Sequence, residues 1–473
     1  KARAINTQVL QSMHQQNAMA VELTAKQKRQ LQKSNEIKLV EIDPKRYLMA
    51  ETTPYGITMV QADQVSDSYE LRRLVLAGEN KRPTTDFFEY YWAFNMQGTN
   101  IGHIIPWFKT LLLNWPWRVP NRLLIVWFLS WLLTLGIIGG VLLFFSNANE
   151  NPFGEGLRGK AYSLLGTSIL IGLQRTLISY IGDAARYLTP NPSNIRERQT
   201  IRHEGIALLK KLHEPDENGN QQYDRIILVG HSLGSVIAYD IITYLWTYYN
   251  QIYADGKAVD RKHFDSVKEA ADVLEAAIEN GEQDEQLVLL RTTFREQQIK
   301  LWKAMKAAGN PWLITDLVTM GSPLAHGAFL LSDSEQDFKD RKQERELLTC
   351  PPLKEQDKYY YFNFKAERYY LHHAAAFAST VWTNIYYPGD FIGGPLAGAL
   401  GFGIEDCKVE YDGSFQGLVS RFSPITHISY WLTRASVDEM DHYKIRTAIA
   451  QLYQAVDLNN ERQNSVTLEE EQE

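Results

Sequence analysis

A serine between two glycines stands at the junction of a predicted strand and a predicted helix. The segment Gly230–Gly234 reads G-x-S-x-G, follows the apolar run Arg225–Val229 and precedes the helical stretch Ser235–Tyr249. Glycines on either side of a serine let a strand and a helix approach closely across a tight turn, which exposes the hydroxyl at the sheet edge. The pattern therefore predicts that Ser232 is a nucleophile.

The neighbours of Ser232 have separate predicted roles. Gly230 and Gly234 permit the close approach, and His231 completes the nucleophile turn. The N–H of Leu233 belongs to the first turn of the helix, where a developing oxyanion needs a donor. We expect Leu233 to donate that hydrogen bond.

A serine hydroxyl is a poor nucleophile without a general base, and the order nucleophile, acid, histidine selects among the histidines. His427 follows the apolar run Gly417–Phe422 and precedes a short aromatic segment, as a loop between a strand and a helix would. His326 comes too early for this order, and His442 lies in the last predicted helix. The sequence thus predicts His427 as the base.

An aspartate at the end of a predicted strand is the candidate acid. Asp390 follows the strand Val381–Tyr387 and a Pro-Gly turn, which would place its carboxylate at the edge of a sheet. Such a carboxylate fixes the tautomer of the histidine and stabilises the imidazolium. Asp406 and Asp412 are the alternatives, in a glycine-rich stretch with no clear strand before them.

Composition excludes several classes of function. The 473 residues carry a net charge of −7 and the pI is about 5.9, which argues against nucleic acid as a partner. The 2 cysteines, Cys350 and Cys407, suit a reducing compartment, and no secretory signal begins the chain. No metal-ligand spacing, P-loop or dinucleotide fingerprint occurs, so we expect neither a metal nor a cofactor.

Two apolar runs predict an attachment to a membrane. Leu123–Phe145 has no charged residue and is long enough, at about 1.5 Å per residue, for the roughly 30 Å core of a bilayer. Ala161–Ile181 is weaker because it contains Gln174 and Arg175. A buried core helix is the alternative for the first run, and an interfacial helix for the second. The strand-like Asp86–Trp92 precedes both runs and the catalytic segments follow them. If these parts share one domain, we expect a hairpin of two spans, or a re-entrant pair, that returns to the same side.

Positive residues near the two apolar runs indicate on which side of the membrane the catalytic domain lies. The two outer flanks carry Lys109, Arg118, Arg122, Arg186, Arg196, Arg198 and Arg202, whereas the loop between the runs carries Arg158 and Lys160. This bias predicts a membrane protein whose catalytic domain faces the cytoplasm.

The remaining patterns divide the chain into segments. Asp67–Ala77 is predicted helical and Asp86–Trp92 strand-like, while Leu313–Met320 and Tyr359–Phe364 are predicted strands. The predicted segments are a mobile or helical arm (1–35), the N-terminal part of the catalytic domain (36–121), the membrane hairpin (122–182), the core with the nucleophile turn (183–254), a helical cap insertion (255–310), the core with the acid and histidine (311–456) and an acidic disordered tail (457–473).

These motifs resemble the α/β-hydrolase superfamily on its lipase and esterase side. Gly230–Gly234 is similar to the lipase nucleophile turn, and Val318–Leu324 is similar to a Gly-Ser-Pro segment of lipases and of the GPI-inositol-deacylase-like group. Asp86–Trp92 followed by an apolar hairpin resembles bacterial membrane hydrolases. The resemblance implies an α/β fold with a doubly wound, mostly parallel sheet, into which the membrane hairpin and the cap are inserted. It also implies a His-Gly-x-Gly-like loop for the second oxyanion donor, which residues 1–85 do not contain.

The expected function is hydrolysis of a carboxylic ester, in a lipid or another membrane-associated substrate, through an acyl-enzyme on Ser232. Two alternatives stay open at this point. One is a catalytically silent membrane scaffold of the same fold, and the other is a lipase toxin that attacks membranes.

Overall fold

The structure is a computed structural model, and it describes most of the chain from residue 195 to residue 466. The described residues are 21–22, 37–43, 46–53, 56–62, 72–76, 78, 82–96, 113–119, 122–145, 164–171, 187, 195–216, 218–252, 257–332, 334–409, 424–431 and 448–466. Asp412, His442 and the end of the predicted tail, beyond Val466, lie outside them, as does most of the predicted arm. The prediction of a disordered tail is wrong over 457–466, where a short helix forms and Arg462 donates to Asp316 at 2.9 Å.

The N-terminal strands form an antiparallel sheet of their own. They are β1 (Val21–Glu22), β2 (Ile37–Asp43), β3 (Arg46–Thr53), β4 (Gly56–Ala62), β5 (Arg72–Leu76) and β6 (Thr85–Phe87). Their order is β1-β3-β4-β5-β6, with β2 also paired to β3. The helix predicted for Asp67–Ala77 is wrong over β5, because this segment pairs on one side with β4 and on the other with β6.

A four-stranded parallel sheet forms the centre of the molecule, as an α/β fold requires. Its strands are β7 (Ile226–His231), β8 (Ile314–Met320), β11 (Val381–Tyr386) and β12 (Glu405–Lys408), in the order β12-β11-β8-β7. All seven residues of β8 are buried, as expected for a strand covered on both faces. Along the chain, the segment between β8 and β11 forms an antiparallel hairpin of β9 (Tyr360–Asn363) and β10 (Arg368–Leu371).

Helices flank the parallel sheet. In chain order they are α1 (Leu124–Phe145), α2 (Ile195–His213), α3 (Leu233–Ile252), α4 (Arg261–Glu279), α5 (Asp284–Ala307), α6 (Gly327–Leu330), α7 (Glu335–Gln343), α8 (Ala397–Leu400), α9 (Ala448–Val456) and α10 (Glu461–Ser465). Short 3₁₀ helices cover Trp92–Met96, Pro116–Arg118, Pro323–His326, Ala376–Ala378 and Pro424–Trp431. The strand predicted for Asp86–Trp92 is therefore only partly confirmed, since it ends at Phe87.

The predicted cap consists of the antiparallel pair α4 and α5. Phe294 and Trp302 of α5 are buried in the main core, and the amide of Gln298 donates to the carbonyls of Phe377 and Thr380, just before β11. This helix therefore packs against the core beside the parallel sheet. In the described residues, no hydrogen bond joins α4 or α5 to Ser232, Asp390 or His427.

The first apolar run forms α1, as its composition predicts. A Cβ added at Gly136 would lie 3.0 Å from Cδ1 of Leu170, so α1 packs closely against the helical residues 164–171. Large apolar side chains of both segments are exposed, among them Phe128, Leu132, Leu135, Leu142, Leu164, Leu165 and Ile169. Within the described residues, no helix combines the length and apolarity that a bilayer crossing needs.

Candidate active site

Ser232, His427 and Asp390 lie together at the ends of the parallel strands. Nε2 of His427 is 2.7 Å from Oγ of Ser232, and Nδ1 is 3.0 Å from Oδ2 of Asp390. Asp390 is 1% exposed and His427 is 5% exposed, so bulk water does not compete for these bonds. With the ring proton on Nδ1 held by the carboxylate, Nε2 is free to accept the serine proton.

The nucleophile turn is strained in the way its sequence predicts. Ser232 has φ +53°, a left-handed conformation that costs an L residue about 1–3 kcal/mol, and its N–H donates to the carbonyl of Met320 at 2.9 Å. A Cβ on Gly230 would lie 2.5 Å from Cα of Ser235. Only glycine at position 230 therefore lets β7 and α3 meet so closely.

Two N–H donors lie at the same turn. Leu233 begins α3, and the first N–H groups of a helix have no intrahelical acceptor. A Cβ added at Gly234 would lie 3.7 Å from Nε1 of Trp92, so the indole N–H stands beside this turn. Trp92 follows β6, and the adjoining segment is held to α2 because the hydroxyl of Tyr90 donates to the carbonyl of Ile201. Neither composition nor a motif had indicated Trp92.

The carboxylate of Asp390 is stabilised in its ionised form. Burial raises its pKa, but the hydrogen bond and charge of His427, together with the backbone N–H groups of Gly393 and Ile392, outweigh burial and hold the pKa below its ordinary value. The N–H of Ile392 donates to Oδ1 at 3.0 Å. An ionised acid is the form that orients and stabilises an imidazolium.

Tyr430 is a fourth member of this hydrogen-bonded group. Its hydroxyl donates to Oδ2 of Asp390 at 2.9 Å and accepts from the N–H of Tyr387 at 3.0 Å. Burial and the nearby Asp390 charge raise the pKa of Tyr430 well above its usual value, so the hydroxyl keeps its proton. Tyr430 follows His427 by three residues in one 3₁₀ helix, where such residues share a face. This spacing was the only signal in the sequence that could have identified it.

His231 supports the base rather than competing with it. Its Nε2 lies 2.9 Å from the carbonyl of His427, and the two rings stack at 5.2 Å between centroids. Burial, followed by the charge of His427, lowers the pKa of His231 to about 4, so the ring is neutral at ordinary pH. A neutral ring can donate from Nε2 to that carbonyl without repelling an imidazolium at His427.

Two glycines shape the pocket around Asp390. Gly321, after β8, has φ +54°, and a Cβ there would lie 2.8 Å from the ring of Tyr430. A Cβ on Gly393 would lie 2.6 Å from Cα of Gly321 and 2.7 Å from Oδ2 of Asp390. The backbone of the acid loop therefore packs directly against the backbone at the end of β8.

The alternative candidates have other roles. Asp406 accepts from the N–H groups of Leu396 and Ala397, at 2.8 and 2.9 Å, and from the amide of Asn384 at 2.6 Å, so it organises the glycine-rich loop. Nε2 of His326 bonds the carbonyl of Phe391 at 2.9 Å. Among the described residues, no cluster of histidine, cysteine or acidic side chains is arranged to bind a metal ion.

Comparison with protein-family models, curated proteins and solved structures finds no match for this chain. Functional conclusions consequently depend on the geometry of the site itself.

Proposed function

We propose that this chain is a serine hydrolase that cleaves a carboxylic ester, and that its parallel sheet is part of an α/β-hydrolase fold. The observation that carries the proposal is the position of His427, hydrogen-bonded to Ser232 at 2.7 Å and to Asp390 at 3.0 Å. The order of the strands adds support, because the nucleophile follows β7 and the acid follows β11 of one parallel sheet.

The proposed reaction has two halves. Oγ of Ser232 attacks the ester carbonyl while Nε2 of His427 takes the hydroxyl proton, and the carbonyl oxygen becomes an oxyanion. Collapse of this intermediate breaks the ester C–O bond, and His427 returns the proton to the departing alcohol. Water then attacks the acyl-enzyme with His427 as base, which releases the carboxylic acid and regenerates Ser232.

Two N–H groups are proposed to stabilise the oxyanion. The backbone N–H of Leu233 is the first, since it lies at the start of α3 next to the nucleophile. The indole N–H of Trp92 is the second, because it stands beside Gly234 in the same turn. This arrangement replaces the His-Gly-x-Gly-like loop that the resemblance implies.

Covalent labelling tests the nucleophile. A fluorophosphonate probe should react with the chain and Ser232→Ala should abolish the labelling, because the probe needs an activated serine oxygen to displace fluoride. The measurement is the mass of the labelled peptide. Ser429, two residues after His427, is a matched control: Ser429→Ala should label like the wild type. A wild-type chain that does not react would favour the silent scaffold.

We also propose that α1 and residues 164–171 bring the site to a membrane and that the catalytic domain faces the cytoplasm. The exposed apolar side chains of both helices support a lipid contact. A substrate that is itself a lipid or a membrane-bound ester would then be close to Ser232. The toxin alternative has no separate observation in its favour.

Substitutions on α1 test the membrane contact. Leu132→Asp combined with Leu135→Asp, at side chains each 57% exposed, should shift most of the chain from the membrane fraction to the soluble fraction. The control is Val288→Asp with Leu289→Asp on α5, where the side chains are 58% and 59% exposed and should not matter. If both double variants leave the same share of the chain in the membrane fraction, the proposal is contradicted.

The topology has its own test. If the hairpin crosses the bilayer, a cysteine at Asn151 should react with an impermeant maleimide outside the cell, and one at Glu461 should not.

A further inference from the structure

The loop that carries Asp390, Pro388–Gly394, is held in place by hydrogen bonds to its carbonyl groups. Five carbonyls between Pro388 and Gly394 accept hydrogen bonds from side chains elsewhere in the chain. His326 bonds the carbonyl of Phe391, and Asn384 bonds the carbonyl of Gly394. The remaining three carbonyls are bonded by one side chain.

That side chain is Arg122, two residues before α1. Its Nη1 lies 3.3 Å from the carbonyls of Pro388 and Asp390 and 3.2 Å from that of Gly393. Its Cζ lies 5.6 Å from the ring centroid of Tyr386, where β11 ends. A Cβ added at Gly394 would lie 3.2 Å from Nε of Arg122, so the guanidinium also packs flat against the loop.

Arg122 lies beside the start of α1, in a segment that packs against the rest of the chain. Its neighbours Val119 and Leu123 are each 4% exposed, and they form a small apolar cluster with Phe329, Leu330 and Phe391. Phe391 directly follows the acid. The start of α1 therefore holds the loop on both sides of Asp390, by hydrogen bonds and by apolar contact.

We propose that Arg122 is a positioning residue for the acid: it fixes the loop Pro388–Gly393 and thereby holds Asp390 against His427, joining the triad to the apolar helix α1. This inference rests on the proposed function and extends it. Arg122 acts through geometry, because its contacts are with carbonyl oxygens, whereas the carboxylate of Asp390 is bonded by His427, Tyr430 and the N–H of Ile392. A guanidinium suits this task since Nη1 can donate to the carbonyls while the planar group also lies over the ring of Tyr386.

The test compares Arg122→Gln with Arg122→Lys and with the control Arg196→Gln at an exposed arginine of α2. Arg122→Gln should lower kcat on a soluble ester, and slow fluorophosphonate labelling, by roughly 10- to 100-fold, because small misplacements of catalytic groups have effects of this size. KM should change little. Arg122→Lys should recover part of the rate, and Arg196→Gln should match the wild type.

The outcomes separate the two proposals. If the wild-type chain is not labelled at all, the proposed function fails. If the wild type is labelled and a folded Arg122→Gln variant, checked by circular dichroism, reacts at the same rate, the positioning role fails. If Arg122→Gln does not fold, the folded Arg122→Lys variant decides: an unchanged kcat would overturn the inference, and a reduced kcat at constant KM would support it.

Discussion

Replacing His427 by alanine or Asp390 by asparagine should each lower kcat by about 10³-fold or more. In the intact site Oγ of Ser232 is 2.7 Å from Nε2 of His427, and the described part of the chain offers Oγ no second base. With asparagine at position 390, the negative charge that stabilises the imidazolium is lost. Steady-state hydrolysis of a soluble ester measures both effects.

The effects of the two substitutions on kcat should not add. Because the triad acts as one unit, the double variant should be little worse than either single variant. Asp406→Asn is the control for the acid: it should lower the stability of the glycine-rich loop, because Asp406 accepts from Leu396, Ala397 and Asn384. If a folded Asp406→Asn variant loses activity while Asp390→Asn keeps it, the wrong acid has been assigned.

The stability of the fold should fall steeply as the pH drops from about 6.5 towards 4, for a reason separate from catalysis. Nδ1 of His213 bonds the carbonyl of Leu209, and its Nε2 accepts the N–H of Leu313. In the same way, His372 bonds the carbonyl of Leu353 through Nε2 and accepts the N–H of Ala374 through Nδ1. A second proton on either ring would face a backbone donor.

The sign of the effect follows from the pKa values. Burial lowers the pKa of His213 and of His372 to about 4, below the ordinary value of 6.5 that applies in the unfolded chain. Between these values the unfolded chain binds more protons, so the unfolding free energy decreases with falling pH, by about 2 kcal/mol per histidine from pH 7 to pH 5. Denaturant titrations at several pH values measure this slope.

One variant of a buried histidine and one of an exposed histidine test whether the buried rings cause this pH dependence. His213→Gln should reduce the slope of unfolding free energy against pH, whatever it does to stability at pH 7. The control is His203→Gln, at an exposed histidine of α2, which should leave the slope unchanged. Equal slopes for the wild type and His213→Gln would contradict this account.

The sequence predicted which residues come together at the candidate site better than it predicted the N-terminal part of the fold. Ser232 is identifiable because its turn needs glycine at fixed spacing. The strands β8 and β11 are identifiable because they are rich in β-branched, aromatic and other apolar residues and each ends at a glycine-containing turn. Leu71, Leu74 and Leu76 favour a helix over Asp67–Ala77, but two neighbouring strands decide the conformation of Arg72–Leu76. Pairing between strands depends on tertiary contacts that local patterns do not contain.

The supporting residues of the site were harder to predict for the same reason. Arg122 lies 268 positions before the Asp390 carbonyl that it bonds. Trp92 follows a strand of the N-terminal sheet, whereas Gly234 follows a strand of the parallel sheet. Nothing about a single arginine or tryptophan in a sequence indicates such a partner. In the sequence Arg122 is one of several positive residues near an apolar run, and its contacts with the acid loop appear only in three dimensions.

The left-handed backbone of Ser232 supports the proposed catalytic function but lowers the stability of the fold. The surrounding β7, β8 and α3 supply the free energy that keeps an L residue at φ +53°, a conformation that glycine adopts without penalty. Selection for heat resistance alone would therefore favour a glycine at position 232, which relieves the strain and removes the nucleophile. A laboratory evolution programme on this scaffold has to select for turnover and for folding together.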